Sequence, residues 1–346
     1  MKAAVLAGVR HMEVQDVPDP QLERDTDVLL RVAMVGICGS DVHYYRWGRI
    51  GSQEVRYPWT IGHECAATVV EVGSGVQGLK EGDRVAVDPL IWCGRCDQCA
   101  SGRENTCRDQ RFLGNPGEAS GAMAEYLVMP AASCYVLPDS LSFVAGALIE
   151  PLAIGEHARC LSGVQPGSTV AILGSGPIGL SVLAALEAAG PQQAYVTDLI
   201  DDRLAMARRY GADWTGSPQN CDVVAEITGR WPDGVDAVFE CAGKQETIDQ
   251  AISLLTPGGV LMIIGITDEQ RISFNFDVAR RLEHRIQMVR RQNHTTAAAI
   301  ELVAAGKVDV EPMATHHGSL ADAPRLLETV GEYEDGVVKA ILHLAD

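Results

Sequence analysis

The chain has 346 residues, more than one ordinary domain needs and enough for two. Hydrophobic residues make up 47% of it and charged residues 21%, which excludes a disordered chain, a coiled coil and a collagen-like fibre. The formal charge of −18 repels phosphate backbones and anionic membranes, so neither nucleic acid nor a membrane surface is expected as a partner.

The first 150 residues read as β-rich. Asp27 to Val35 is a run of Val, Leu, Ala and Met with a single Arg. Ala66 to Val72 ends at Gly73-Ser74-Gly75, and Gly82-Asp83 leads into Arg84-Val85-Ala86-Val87. These are short strands separated by glycine turns. The rhythm changes at Pro166. A strand over Thr169 to Leu173 feeds a helix with Ile178, Val182 and Leu186 on one face. A strand at Ala194 to Thr197 precedes a helix at Asp201 to Tyr210, with Asp201 and Asp202 at its positive end. Val235 to Phe239 and Val260 to Gly265 are further strands. The alternation predicts a parallel sheet covered on both faces. Two helices follow, Thr296 to Ala305 and Leu320 to Val330, and a last strand at Val337 to Leu344.

The longest uncharged stretch, Cys160 to Leu186, contains five glycines and two prolines, so it reads as strand, turn and helix rather than a membrane span. The apolar run Ala3 to Val9 is short and meets Arg10 and His11, which does not make a signal peptide. The expected location is the cytoplasm. Ten cysteines without an export signal are then reduced thiols rather than a disulfide framework.

Gly174-Ser175-Gly176-Pro177-Ile178-Gly179 is a G-x-G-x-x-G between an apolar strand and an amphipathic helix. In that setting the first glycine makes the turn, the second admits a pyrophosphate and the third packs helix on strand. Pro177 suits the first helical turn, where its missing N–H costs nothing. Asp198 lies 19 residues beyond Gly179, where a carboxylate accepts bonds from the adenosine ribose hydroxyls and repels the extra phosphate of NADP. NAD is therefore the expected cofactor. Arg203 is placed either to stack on the adenine or to neutralise a phosphate.

Cys93, Cys96, Cys99 and Cys107 place four thiolates within fifteen residues, the pattern of a closed tetrahedral zinc site, with an iron–sulfur cluster as the rival. A second set is more scattered. Cys38 sits in Gly-Ile-Cys-Gly-Ser-Asp-Val-His, and His63 and Glu64 sit in Gly-His-Glu. One sulfur, one nitrogen and one oxygen leave a fourth position open, as a catalytic zinc requires.

These segments, with Gly-Asp-Arg-Val at 82–85, the four-cysteine lobe and the glycine fingerprint, resemble the zinc-containing medium-chain dehydrogenases along essentially the whole chain. Cys38 to Tyr45, Gly48-Arg49-Ile50-Gly51 and Leu148-Ile149-Glu150-Pro151 are most similar to the polyol branch, the sorbitol and xylitol dehydrogenases. The resemblance implies a Rossmann domain, residues 151–290, inserted in a GroES-like β-barrel catalytic domain, residues 1–150 and 291–346, with a structural zinc lobe near 90–110. It implies two zinc ions per subunit, NAD, a small polyol or diol substrate and a homo-oligomer, tetramer or dimer. It also implies that zinc on Cys38, His63 and Glu64 acidifies the substrate hydroxyl and that hydride passes to the nicotinamide. Ser40 then takes the proton and relays it through the cofactor ribose to His43. Glu150 matches a carboxylate that contacts the zinc or its water; the other reading makes it a helix-entry acid before Pro151. Phe112 and Arg291 match substrate-lining positions.

The pattern departs from the polyol enzymes at Gln292, where Tyr is expected, and at Arg290, where Phe is usual. Threonine 3-dehydrogenase and butanediol dehydrogenase share the machinery and remain alternatives. The threonine enzymes carry Thr and Asp where Ser40 and Glu150 stand. A non-enzymatic nucleotide-binding relative would lack the ligand residues that this chain retains.

Overall fold

The computed structural model describes residues 1–190, 193–267, 269 and 271–344. One compact unit is built from the chain up to Glu150 and from Ala299 onward, and Pro151–Ala298 forms a second. The return to the first unit falls after 290 because residues beyond it stay tied to the second unit. The Thr295 hydroxyl, for example, donates to the Ala153 carbonyl at 2.7 Å.

The first unit is organised on a seven-stranded sheet. Its order is Cys134–Val136, Arg84–Val87, Glu64–Val72, Asp27–Gly36, Lys339–His343 and Ala314–Ser319, with Tyr126–Pro130 also paired to Asp27–Gly36. Asp27–Gly36 is the longest strand and lies centrally, which accounts for its nearly unbroken apolar composition. Leu30, Val32 and Val35 from it pack with Val69, Val85, Met129 and Leu342 in the main core of this unit. The closing strand reaches the centre of the sheet: Ile341 pairs with Gly36 and Leu342 with Val35.

In the second unit six strands run parallel, in the order Trp214–Gly216, Gln193–Thr197, Thr169–Leu173, Val235–Glu240, Leu255–Ile263, Arg285–Met288. By position in the chain this is 3-2-1-4-5-6, the doubly wound order that binds dinucleotides where the strand order reverses. The reversal lies between Thr169–Leu173 and Val235–Glu240, whose last residues, Leu173 and Glu240, are paired.

Three elements differ from the sequence reading. An N-terminal hairpin, Lys2–Gly8 with His11–Asp16, went unread because its second strand is short and mostly exposed. A 20-residue helix, Phe143–Ser162, carries Pro151 in its interior, and that proline hid it. The region read as a helix from Leu320 begins as a 3₁₀ turn, Leu320–Asp322, and becomes α-helical at Ala323–Glu332. Cys160 to Leu186 contains a helix end, the strand Thr169–Leu173 and most of the helix Pro177–Ala189. Among the described residues no helix is long and apolar enough to cross a membrane.

Candidate active site

Three ligand-type side chains converge in the first unit. Cys38 follows the central strand and is the N-cap of the helix Gly39–Trp47. His63 and Glu64 open the neighbouring strand, whose first residue pairs with Gly36. The donor atoms of Cys38, His63 and Glu64 all lie within 4.8 Å of one another. Asp41 organises them. It is 1% exposed. One carboxylate oxygen accepts from the Cys38 N–H at 3.0 Å, and the other accepts from the Gly62 N–H at 3.0 Å. The carboxylate also stands 3.6 Å from His63 Nδ1. Gly62 has φ +98°, and a Cβ on it would lie 2.9 Å from Met123 Cγ, so glycine is required just before His63.

The electrostatics suit a cation. Burial pulls the His63 imidazole down, but the negative charges of Asp41 and Cys38 outweigh it and hold its pKa well above the ordinary value. Sulfur, imidazole nitrogen and carboxylate oxygen are also the donor types of a catalytic zinc.

Glu64 has a partner the sequence reading missed. Lys339 Nζ donates to both of its carboxylate oxygens at 2.7 Å and to the Ile37 carbonyl at 3.1 Å. Burial lowers the Lys339 pKa, yet the charge of Glu64 more than restores it and the group is held above its ordinary value. A signal was present: Lys339 is a lone charge inside the apolar closing strand. Asp41 was equally legible, three residues after Cys38 at a capping position.

Glu150 lies within the helix Phe143–Ser162 and not at its entry, so the helix-entry reading is set aside. It is buried, and desolvation raises its carboxyl to about 7, with the charge of Glu64 adding to the rise and those of His63 and Lys339 opposing it. Ser40 occupies the first turn of the helix Gly39–Trp47, and among the described residues its hydroxyl makes no hydrogen bond. One turn on, the His43 ring meets Trp47 edge-on at 4.7 Å. The Phe112 ring lies 5.3 Å from that of His63. Arg291 belongs to the second unit, in left-handed backbone at φ +56°. Its neighbour Gln292 is buried, and its amide oxygen accepts from the Thr295 N–H at 3.0 Å and from the Thr295 hydroxyl at 3.2 Å. That amide oxygen supports the entry to the helix Thr296–Ala304 at the position where the polyol enzymes carry Tyr.

The four-cysteine lobe closes on itself. The sulfurs of Cys93, Cys96, Cys99 and Cys107 lie within 4.8 Å of one another. Cys107 Sγ accepts from the backbone N–H groups of Cys93 at 3.3 Å and Asp109 at 3.4 Å. The Arg108 and Cys99 N–H groups draw the Cys96 thiol down to about 6, whereas burial pushes Cys99 up to about 12. N–H groups aimed at sulfur favour the thiolate, the form that binds metal.

In the second unit the glycine turn has the shape its residues suggest. Gly174 has φ +97°, Pro177 begins the helix Pro177–Ala189, and a Cβ on Gly179 would overlap the Gly174 carbonyl. Ile178 follows in the first turn of the same helix. Asp198 lies just past the strand Gln193–Thr197 and accepts from the Ser175 N–H at 2.7 Å and the Ile200 N–H at 3.0 Å. Buried Arg203 brings its guanidinium to the second glycine: a Cβ on Gly176 would sit 3.4 Å from Nη1.

Comparison with known proteins agrees with both units. Residues 24–139 match the model of the alcohol dehydrogenase GroES-like domain, and residues 177–305 match that of the zinc-binding dehydrogenases. The sorbitol dehydrogenase of Bacillus subtilis is 39% identical over 344 residues, covering 99% of this chain and 97% of that protein. The L-idonate 5-dehydrogenase of Vitis vinifera is 38% identical, covering 91% and 86%. A crystal structure from Sinorhizobium meliloti bound to NADP superposes with a TM-score of 0.90 at 34% identity, covering 99% and 98%. The chain belongs to the zinc-type medium-chain alcohol dehydrogenase family. Within that family it falls in the polyol branch.

Proposed function

We propose that the chain is a zinc-dependent polyol dehydrogenase that transfers hydride from a secondary hydroxyl to NAD, giving a ketose. The observation that carries this is the Cys38–His63–Glu64 donor set, with all donor atoms within 4.8 Å, in a chain that also has the doubly wound nucleotide sheet. Cys38, His63 and Glu64 would hold the catalytic zinc, which would supply Lewis acidity that lowers the pKa of a substrate hydroxyl. Cys93, Cys96, Cys99 and Cys107 hold the structural zinc. Gly174, Gly176, Pro177, Ile178 and Gly179 would hold the pyrophosphate of NAD and Asp198 its ribose, with Arg203 beside the second glycine, and the cofactor would supply the hydride acceptor.

The chain's own residues handle the proton. Ser40 accepts it from the substrate, since its hydroxyl has no other claim among the described residues. His43, one turn further along the helix, passes it to water. Asp41 is a positioning residue, holding the Cys38 and Gly62 N–H groups and facing His63. Glu150, buried and within electrostatic reach of His63 and Glu64, is the further carboxylate beside the metal position. Phe112 forms the apolar wall beside His63, and Arg291 contributes a donor to a substrate hydroxyl. Residues 1–150 with 299–346 make the catalytic domain, and 151–298 the cofactor domain.

We assign the protein to the cytoplasm, a reading supported by four clustered thiols that a reducing compartment would keep free for metal. It acts as a homo-oligomer, tetramer or dimer. Support comes from the edge strand Arg285–Met288 and from the exposure of Ile266, Phe276 and Met288 in the second unit.

The test is NADH formation with ethanol, 2,3-butanediol, threonine, xylitol and sorbitol, alongside zinc analysis. Xylitol or sorbitol should give the highest kcat/KM, and the protein should carry two zinc ions per chain. His63→Ala should lose one zinc and all turnover, and Cys96→Ser should lose the other and weaken the fold. Preference for ethanol or threonine over every polyol defeats the assignment.

A further inference from the structure

Beside the proposed catalytic residues lies a second polar cluster that neither the metal chemistry nor proton transfer uses. It starts at Tyr44, four residues after Ser40 on the helix Gly39–Trp47, so the two side chains share a face one turn apart. The Tyr44 hydroxyl is shared between Gln53 Oε1 at 2.9 Å and Asn115 Oδ1 at 3.4 Å. Both amides then converge on one carboxylate. Gln53 Nε2 donates to Glu118 Oε1 at 3.0 Å, and Asn115 Nδ2 to Glu118 Oε2 at 3.4 Å. The cluster is anchored to the site through the backbone. The Asn115 N–H donates to the Phe112 carbonyl at 3.2 Å, and the Phe112 ring is the one that faces His63. Trp59 Nε1 holds the same turn by donating to the Gly114 carbonyl at 3.0 Å.

Two properties point to a ligand. Tyr44 is buried, but Gln53, Asn115 and Glu118 are only half-buried, so their remaining hydrogen-bonding capacity faces accessible space. Each amide keeps a second N–H, and the carboxylate keeps lone pairs. Glu118 is also uncompensated: no Lys or Arg pairs with it among the described residues. Amide donors beside a carboxylate acceptor match a run of hydroxyls, each of which donates and accepts. The same carboxylate repels a chain that ends in a negative group, and partial desolvation strengthens that repulsion.

Resting on the polyol reading above, we infer that Gln53, Asn115 and Glu118 form a subsite for the distal hydroxyls of the substrate and select neutral polyols over chains ending in a carboxylate or phosphate. The Vitis vinifera relative is named for an aldonate, L-idonate. Glu118 assigns this chain to the neutral side of that division.

The experiment compares kcat/KM for xylitol, its aldonate xylonate, a phosphorylated polyol and 2,3-butanediol in the zinc-loaded protein. Wild type, Glu118→Gln and Glu118→Arg are measured, with the melting temperature of each as a check on folding. Wild type should favour xylitol over xylonate and over the phosphorylated polyol by tenfold or more. Glu118→Gln should narrow both ratios by about tenfold, a change of roughly 1.4 kcal/mol. Glu118→Arg should narrow them further or invert them. Butanediol has no distal hydroxyls to offer the cluster, so the xylitol-to-butanediol ratio should fall in both variants. The glutamine variant preserves shape and suffices alone if the arginine variant does not fold. Wild-type preference for the anionic chains, or a change common to all four substrates, overturns the subsite while leaving the dehydrogenase standing. Absence of turnover with every alcohol sinks both.

Discussion

Lys339 Nζ stands 2.7 Å from each carboxylate oxygen of Glu64, with the two side chains exposed by only 2% and 1%. They are 275 residues apart in the chain. Glu64 therefore has its charge matched within the protein, and its other neighbours are those of a metal site. Gly36 makes the approach possible, because a Cβ there would overlap the Glu64 carboxylate.

The pair predicts strong coupling. Removing one partner of a buried ion pair leaves an uncompensated charge and costs about 3–5 kcal/mol. Lys339→Met and Glu64→Gln should each lower stability by an amount of that order in urea unfolding. The double variant should lose clearly less than the sum of the two. Additive losses would show that the pair makes no net contribution.

Glu150 predicts a pH dependence with a definite sign. Its carboxyl rises from an ordinary 4.5 to about 7 on folding. Between those values the folded chain holds a proton that the unfolded chain has released. The stability this group contributes is thus complete below about pH 4.5 and is lost as pH rises through about 7. In chelator-treated protein, Glu150→Gln should therefore gain on wild type between about pH 5 and about pH 8, by roughly 1–3 kcal/mol. A stability difference that is flat across that range would exclude the raised carboxyl.

Asp198 predicts cofactor preference. Its carboxylate is already oriented by the Ser175 and Ile200 N–H groups, so it faces an adenosine ribose without rearranging. A 2′-phosphate there meets a fixed like charge. Wild type should prefer NAD to NADP, and Asp198→Asn should shrink the preference ten- to a hundredfold, about 1.4–2.8 kcal/mol. The Sinorhizobium meliloti structure carries NADP, so the comparison is informative within the family. Equal use of both cofactors by wild type would show that Arg203, beside Gly176, dominates the site.

Much of this molecule was legible before its structure. The glycine turn, Asp198 and both ligand sets are made of residue types whose chemistry fixes their spacing, and the parallel sheet follows from apolar runs alternating with helical periods. What stayed hidden depends on distant pairing. Lys339 looks like an interruption of an apolar strand until that strand is known to lie beside Gly36. Phe143–Ser162 carries a proline that ordinarily ends a helix, and its burial outweighs that local preference. The amide oxygen of Gln292 accepts from Thr295, a contact that depends on the left-handed turn around Arg291 and His294 and so has no local signature.

The place of the closing strand orders the events of synthesis. Lys339–His343 lies between Asp27–Gly36 and Ala314–Ser319, so the first unit needs residues from both extremes of the chain. Pro151–Ala298 is continuous and has every strand of its own sheet once it has left the ribosome. A nascent chain can thus hold a finished nucleotide fold while Glu64 still waits, unneutralised, for Lys339. Lys339, which balances the metal pocket, emerges only after the whole of Pro151–Ala298. A chain cut before Lys339 should keep a folded cofactor half and a metal half that is open to proteolysis, so that only copies carrying Lys339 persist as candidates for loading with zinc.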